Sequence, residues 1–239
     1  MKAYGKTDAG AIRAMNQDVI FYSENPVGTL PNLFIVADGM GGHRAGDIAS
    51  SLAVKTFVDF IKRSQNINPI TLLEEGIELA NMAVIEKAFE DEGYHGMGTT
   101  IVVATVKDGL LYVANVGDSR LYLINDEIHQ ITRDHSYVED LVSLGQLDKE
   151  SARVNQKKNI ITRAIGAEPN VVPDFFEVEY NGTDRFLLCS DGLSNMVSDE
   201  EIRKVITSED DLSDAVHRLI DLANEHGGRD NISVVLVGR

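Results

Sequence analysis

The chain has 239 residues, 43% of them apolar, and a formal net charge of −16. Its length fits one or two domains with a large core, while the acidic balance argues against nucleic acid, which is bound through lysine and arginine. The single cysteine, Cys189, excludes an internal disulfide, and no cysteine–histidine cluster indicates zinc. Because the chain has no apolar signal core and no membrane-length apolar run, we expect a cytoplasmic protein without membrane insertion.

The first part of the chain predicts short strands followed by two helices. Strands are predicted at about 2–8, 18–23 and 33–37. Apolar residues recur at helical spacing on one broad face of residues 46–63. A second helix is predicted at 68–90, with Asn68 as the N-cap and Pro69 at the first helical position.

The middle of the chain predicts a β-meander, because Asp108-Gly109 is a strong two-residue hairpin signal. The strands predicted here and further on are at about 99–107, 110–116, 119–124, 128–132, 172–180 and 184–189. Between them, the polar stretch 134–158 predicts short helices on loops.

Near the end, Ser198 with Glu201 predicts a capping box that starts a helix. That helix is predicted to reach about residue 207, followed by a helix at about 212–225 and a strand at 232–237. Strands outnumber helices, and the helices come in consecutive pairs rather than alternating with strands. We therefore expect one domain over residues 1–239, of the α+β class, with antiparallel sheets covered by helix pairs.

Several aspartates stand at strand ends or in turns beside strands. They are Asp18, Asp38, Asp118, Asp191 and Asp230. One such aspartate carries little information, since Asp-Gly is a common turn dipeptide. Acids at strand ends can nevertheless converge at one rim of a sheet structure, where their mutual repulsion requires cations. Magnesium or manganese would suit such a set, because both prefer oxygen ligands.

The stretch FIVADGMGGHRAG, residues 34–46, has the glycines of a phosphate-binding loop but not the lysine. A Walker loop ends in Gly-Lys-Ser/Thr, whereas this one runs Gly46-Asp47. Because Gly39 has no β-carbon, its carbonyl can approach a metal closely. We interpret the loop as one that places metals, which then hold a phosphate. Anion binding at the helix N-terminus near Gly46 stays open as an alternative that Asp47 weakens.

With these residues laid out, the chain resembles the metal-dependent serine/threonine protein phosphatases of the PPM (type 2C) family, in their bacterial branch. Each matching stretch alone is a weak signal, but together they stand in family order and cover nearly the whole chain. They are RAMNQD (13–18), ADGMGGHRAG (37–46), GTT (98–100), VGDSRLY (116–122), TRDHS (132–136), TRAIG (162–166), LLCSDGL (187–193) and RDNISVV (229–235).

This resemblance implies two antiparallel sheets packed face to face, helices on both outer faces, and a metal centre at one edge. By motif, Asp38 would bridge two manganese or magnesium ions and Gly39 would contribute its carbonyl to one of them. Asp191 and Asp230 would complete the other ion's site.

The resemblance also assigns roles to three further positions. Asp18 would bind an ion directly or through another ligand. Asp118 would hold a third ion together with Asp191. Arg13 matches the phosphate-binding arginine, whose bidentate hydrogen bonding to phosphate a lysine could not reproduce.

The implied reaction is hydrolysis of phosphoserine and phosphothreonine in proteins by a hydroxide that bridges two divalent cations. Two ions can lower the pKa of a shared water from about 15.7 towards about 7. Because no covalent enzyme intermediate is needed, we expect Cys189 to be a core residue. The implied partners are phosphorylated proteins and a cognate serine/threonine kinase of bacterial signalling, and we expect a monomer.

Two positions depart from the pattern of some relatives. Met40 stands where they carry a histidine that could act as the general acid, so the leaving group would take its proton from metal-bound water, a flap residue or His43. We favour a structural or solvent-facing role for His43. Gln17 stands where other relatives have an acid. Direct metal binding at this position would therefore fall to Asp18 or to water.

The segment of about 136–161 corresponds to the variable flap of bacterial relatives. It has three basic residues close together, Arg153, Lys157 and Lys158. Each alone is best interpreted as solvated, but the segment as a whole is our first candidate for substrate selection.

Two other classes of function remain to be weighed. A regulatory binding module with an inactive catalytic site would have lost the bridging acid or Arg13, and neither is lost here. A two-metal nuclease is disfavoured by the net charge of −16 and by the lack of a basic stripe.

Overall fold

The computed structural model describes residues 1–42, 45–148, 151, 155 and 157–239. Its strands, numbered along the chain, are β1 (Lys2–Asp8), β2 (Asp18–Ser23), β3 (Leu33–Met40), β4 (Gly98–Thr99), β5 (Ile101–Lys107), β6 (Leu110–Val116), β7 (Arg120–Ile124), β8 (Ile128–Gln130), β9 (Asp174–Glu179), β10 (Arg185–Cys189) and β11 (Ile232–Gly238). Its helices are α1 (Ala45–Arg63), α2 (Pro69–Ala88), α3 (Tyr137–Ser143), α4 (Asp191–Ser194), α5 (Asp199–Ser208) and α6 (Leu212–Glu225), with a 3₁₀ turn at Glu92–Tyr94.

The strands form two sheets whose pairings are antiparallel. The first sheet has the order β1-β11-β10-β7-β8, and the second has the order β2-β3-β5-β6-β9, with β4 paired to β3. Side chains such as Phe34, Val102, Phe186 and Val235 fill the space between the sheets. The pair α1 and α2 covers the outer face of the second sheet, and α5 and α6 cover that of the first. The predicted α+β sandwich with helix pairs on both outer faces is confirmed.

The predicted helix starts are confirmed in atomic detail. The Asn68 side chain accepts a hydrogen bond from the Thr71 N–H at 3.3 Å, with Pro69 opening α2. Ser198 and Glu201 form the reciprocal capping box of α5. These caps satisfy backbone N–H groups that have no partner inside the helix, so local sequence alone places both starts.

Three predicted element limits differ from the structure at the end of the sheets where the acids lie. Strand β3 does not stop at Ala37 but continues through Asp38 and Gly39 to Met40. The single strand predicted at 99–107 is divided into β4 and β5 at Thr100. Asp191 does not end a strand but opens the short helix α4. Aspartate and glycine have low strand propensity, and only their distant pairing partners hold them in extended backbone.

Within the described residues, no helix combines the length and apolarity needed to cross a bilayer. Of the segment predicted to be a flap, the structure describes residues 136–148, which include α3, and residues 151, 155 and 157–161, whereas Arg153 lies outside the described residues. His43 also lies outside them, so its predicted role stays untested.

Candidate metal centre

The five aspartates singled out in the sequence come from separate elements and meet at one rim of the sandwich. In the register of β2 and β3, Asp18 stands directly opposite Asp38. Asp118 lies between β6 and β7, Asp191 follows β10, and Asp230 lies just before β11. The charge of Asp38 interacts with those of the other four acids, so the convergence that the sequence predicted is present.

The cluster has a buried floor and an open mouth. Asp18 and Asp118 are only 6% and 7% exposed, whereas Asp38, Asp191 and Asp230 are half-buried. The charges of Asp38 and Asp191 act on one another at this mouth. The half-buried acids could therefore contact a ligand that arrives from solvent.

Burial and mutual repulsion favour the protonated form of these acids. Burial first, and then the charges of Asp191 and Asp230, raise the pKa of Asp18 to about 7 in spite of the hydrogen bond from Ser190. Burial and the charge of Asp230 raise the pKa of Asp191 to about 6. The pKa values of Asp38 and Asp118 lie well above their usual range for the same two reasons. Positive charge placed among these groups would remove the repulsion.

Unpartnered oxygens give an independent test of whether cations fit here. In the described part of the chain, three buried carboxylate oxygens have no hydrogen-bond partner: Oδ1 of Asp18, Oδ1 of Asp118 and Oδ1 of Asp191. A buried carboxylate oxygen without a partner is costly, and oxygen-only donor sets suit hard divalent ions. Over the same residues, no three acidic, histidine or cysteine side chains already surround one point as a closed ion site requires. The donor chemistry therefore fits divalent cations, and binding would draw the side chains inwards.

The position of Gly39 depends on its missing β-carbon. A β-carbon there would lie 2.1 Å from the Gly46 carbonyl oxygen and 2.5 Å from that of Gln17. The Gly39 N–H donates to the Gln17 carbonyl at 3.1 Å. Glycine is thus required because the loop before β2 and the start of α1 both press against it, a packing reason that the sequence did not reveal.

Two threonines fix the backbone of Asp38. Its N–H donates to Thr100 Oγ1 at 2.9 Å, and its carbonyl accepts from Thr100 N–H and from Thr99 Oγ1, both at 2.9 Å. Thr100 Oγ1 is also hydrogen-bonded to Ser119 Oγ at 2.7 Å, next to Asp118. This buried chain of hydroxyls links the backbone of Asp38 to the turn that carries Asp118.

Arg13 lies at the mouth of the cluster. Its Nη2 donates to Asp230 Oδ2 at 2.8 Å, with 53% of the Arg13 side chain exposed. This hydrogen bond raises the pKa of Arg13, with smaller contributions from the charges of Asp38 and Asp191. The guanidinium group therefore stays charged beside the acids, where a bound phosphate could contact it.

A groove of about 830 Å³ leads away from the acids. Asp118 and Asp191 line it together with residues 128–134 and 194–199. Lys158, from the predicted flap, also lines it. The nearby Lys157 lies over the Tyr137 ring, with its Nζ 5.2 Å from the ring centroid.

Several residues that hold the acids in place were not predicted from the sequence. Ser190 Oγ donates to Asp18 Oδ2 at 2.7 Å, and Asn195 Nδ2 donates to Asp191 Oδ2 at 2.9 Å. Thr100, Ser119 and Ser190 occupy positions of the same alternation that faces the sandwich core in the adjoining strands. A switch from apolar to small polar residues in that alternation is a signal that could have found them.

Known proteins resemble this chain over its full length. The sequence model of the family described as Protein phosphatase 2C matches residues 11–236. The serine/threonine phosphatase stp of Listeria innocua is 42% identical over 100% of this chain and 96% of its own length.

Solved structures agree with this match. The serine/threonine phosphatase Stp1 of Staphylococcus aureus superimposes with a TM-score of 0.93 at 35% identity, covering 100% of this chain and 94% of that one. The catalytic domain of the serine/threonine protein phosphatase PstP, solved in complex with two manganese ions, has a TM-score of 0.87 at 33% identity, covering 98% and 96%. The chain belongs to the bacterial branch of the protein phosphatase 2C family and is an enzyme of the serine/threonine phosphatase class.

Proposed function

We propose that this protein hydrolyses phosphoserine and phosphothreonine esters in proteins with the help of two divalent cations, and so reverses the action of a serine/threonine kinase. The observation that carries the proposal is the convergence of five aspartates at one rim, beside a charged arginine. Family membership supports the reaction class, and the manganese ions of the PstP catalytic domain support the choice of metal.

In this proposal Asp38, Asp191, Asp230 and the carbonyl of Gly39 hold manganese or magnesium. Asp18 supports them from the buried floor of the cluster. When bound, the ions supply an acidified water as the nucleophile and neutralise charge on the phosphate. A third ion is assigned to Asp118 with Asp191, since both retain an unpartnered oxygen.

The chain's own residues bind and orient the substrate. Arg13 contacts phosphate oxygens through its guanidinium group, which lies beside Asp230 at the mouth. The groove that starts at Asp118 and Asp191 gives room for the polypeptide that flanks the phosphorylated residue. The flap residue Lys158 lines this groove, and with its neighbour Lys157 it contributes to substrate selection.

The test is manganese-dependent hydrolysis of p-nitrophenyl phosphate and of a phosphothreonine peptide, repeated with Asp38→Ala. We expect both activities to disappear in the variant and in excess chelator. Calorimetric titration with Mn²⁺ gives a readout without turnover, and Asp38→Ala should lose binding. Asp126→Asn, at an exposed turn, is the matched control and should behave as wild type. Activity that survives Asp38→Ala or chelation would contradict the proposed centre.

A further inference from the structure

Arg13 is carried by residues 9–17, an irregular loop between β1 and β2. Much of this loop is exposed, including Ile12 at 70% and Met15 at 39%. A half-exposed side chain on such a loop receives little direction from its own packing. The position of the Arg13 guanidinium group is therefore set by its hydrogen bond to Asp230 and by the contacts that anchor the loop.

One buried carboxamide joins the two ends of this loop. Asn231 Oδ1 accepts from the Gln17 N–H at 2.9 Å. Its Nδ2 donates to the Ala9 carbonyl at 3.0 Å and to the Met15 carbonyl at 2.9 Å. Asn231 is 4% exposed. One side chain thus satisfies a backbone donor and two backbone acceptors from a segment more than 200 positions away in the sequence.

Other anchors hold only part of the loop. The Gly228 carbonyl accepts from the N–H groups of Ala11 and Ile12 at 2.8 and 3.2 Å, near the start of the loop. Asn16 Nδ2 donates to Thr7 Oγ1 at 2.7 Å, near its end. Asn231 differs from these contacts because it closes the loop from both sides of Arg13.

We propose that Asn231 is the positioning residue for Arg13: its carboxamide holds the loop so that the guanidinium group meets the phosphate. This inference rests on the proposed role of Arg13 in phosphate binding. An asparagine is required because the site needs a donor and an acceptor together. An aspartate of the same shape would direct an oxygen at the carbonyls of Ala9 and Met15.

The same position is next to the proposed ligand Asp230, but that contact is of a different kind. The Asn231 backbone N–H donates to Asp230 Oδ1 at 2.9 Å. A substitution of the side chain leaves this N–H in place. Side-chain variants can therefore loosen the loop while retaining the contact to Asp230.

The test is a double-mutant cycle of Asn231→Ala or Asn231→Asp with Arg13→Ala, measured by kcat and KM for p-nitrophenyl phosphate at saturating Mn²⁺. When Arg13 is intact, we expect the Asn231 substitutions to lower kcat/KM about 10–100-fold, as is typical for residues that orient a reacting group. In the Arg13→Ala background the same substitutions should cost less than about threefold, because they act through Arg13. Inhibition by inorganic phosphate should weaken in parallel with kcat/KM.

The readout without turnover is the Mn²⁺ affinity of the neutral variant Asn231→Ala, measured by calorimetry in the absence of substrate, which should change by less than about threefold. Asn224→Ala is the matched control, since that carboxamide reaches Asp8 but belongs to α6, and it should leave kcat/KM and phosphate inhibition unchanged. If Asn231→Ala fails to fold by circular dichroism, Asn231→Ser, which can still accept from the Gln17 N–H, must show the same pattern.

An equal loss in both backgrounds, or a parallel fall in Mn²⁺ affinity, would overturn the inference while leaving the proposed function intact. If Arg13→Ala alone had no effect on kcat/KM or on phosphate inhibition, the proposed role of Arg13 would fail, and this inference with it. The two failures are thus distinguishable.

Discussion

The interior of the sandwich and its acidic rim are built from the same strands with opposite chemistry. In β3, Phe34 and Val36 face the core between the sheets, and the next position of that alternation is Asp38. Along β11 the alternation runs from Val237 and Val235 in the core to Ser233, and it continues to Asn231 just before the strand, at the rim. In both strands, the side chains on the face that points between the sheets change from apolar to polar within two to four residues.

The two regions differ in how well their groups are satisfied. Between the sheets, Phe186 packs edge-on against Phe34, with ring centroids 5.4 Å apart, and against Tyr180 at 5.6 Å. At the rim, described acids such as Asp18 and Asp118 keep buried oxygens without partners. The interior therefore supplies stability, and the rim consumes part of it to keep repelling carboxylates ready for ligands.

The sharpest way to break this comparison is Asp38→Asn. We expect kcat/KM with Mn²⁺ to fall by about 10³-fold, since several kcal/mol of charge stabilisation would be lost. In chelator, the same variant should be about 1–3 kcal/mol more stable than wild type, because one repelling carboxylate is removed. Urea unfolding and steady-state kinetics measure the two effects. If the variant lost activity with Mn²⁺ and was also less stable than wild type in chelator, Asp38 would be a structural residue.

The opposite result is expected in the interior. Phe186→Ala removes a fully buried ring from two aromatic contacts and should destabilise the protein by about 3–5 kcal/mol. The folded fraction should keep its kcat/KM, because the ring does not touch the rim. Urea unfolding gives the loss, and kinetics at a temperature where the variant is folded give the activity. A large loss of kcat/KM per folded molecule would mean that core and rim are not separable.

The pH dependence of stability sharpens the electrostatic side. The pKa values of Asp18 and Asp191 are raised to about 7 and about 6, above their values in the unfolded chain. Stability from their protonated forms is therefore fully present below about pH 4 and is lost as pH rises through about 6–7. In chelator we expect the Tm to fall between pH 5 and pH 8.

The control for this prediction is the metal itself. Saturating Mn²⁺ should raise the Tm more at pH 8 than at pH 5.5, since protons compete with cations for the carboxylates. Thermal unfolding at matched ionic strength measures both series. A Tm in chelator that rises steadily to pH 8 would contradict the raised pKa values.

The smallest effect is expected from the hydroxyl chain under Asp38. Thr100→Val would leave the Asp38 N–H and the Ser119 hydroxyl without their partner, at a cost of about 1–3 kcal/mol. Thr207→Val, on the exposed side of α5, removes a helical hydroxyl contact and should change stability by less than about 0.5 kcal/mol. Urea unfolding compares them, and equal effects would remove the special role given to Thr100.

The sequence determined much of this protein by local rules. The caps at Asn68 and Ser198 and the Asp108-Gly109 hairpin depend on neighbours within a few positions, so they were predictable. The strand-rich pattern with paired helices indicated the α+β class. The motif resemblance singled out the acids that the structure brings together, although their binding of metal stays a prediction.

Only the tertiary structure decided how these residues meet. Asp18 bonds to Ser190 across 172 positions, and Asn231 reaches Ala9 across 222 positions. The need for glycine at position 39 comes from two backbone carbonyls that press against it. Such contacts depend on the register of strands paired over long distances, and a shift of one residue would turn every side chain to the other face. Composition and spacing fix which groups are available, whereas strand pairing fixes which of them touch.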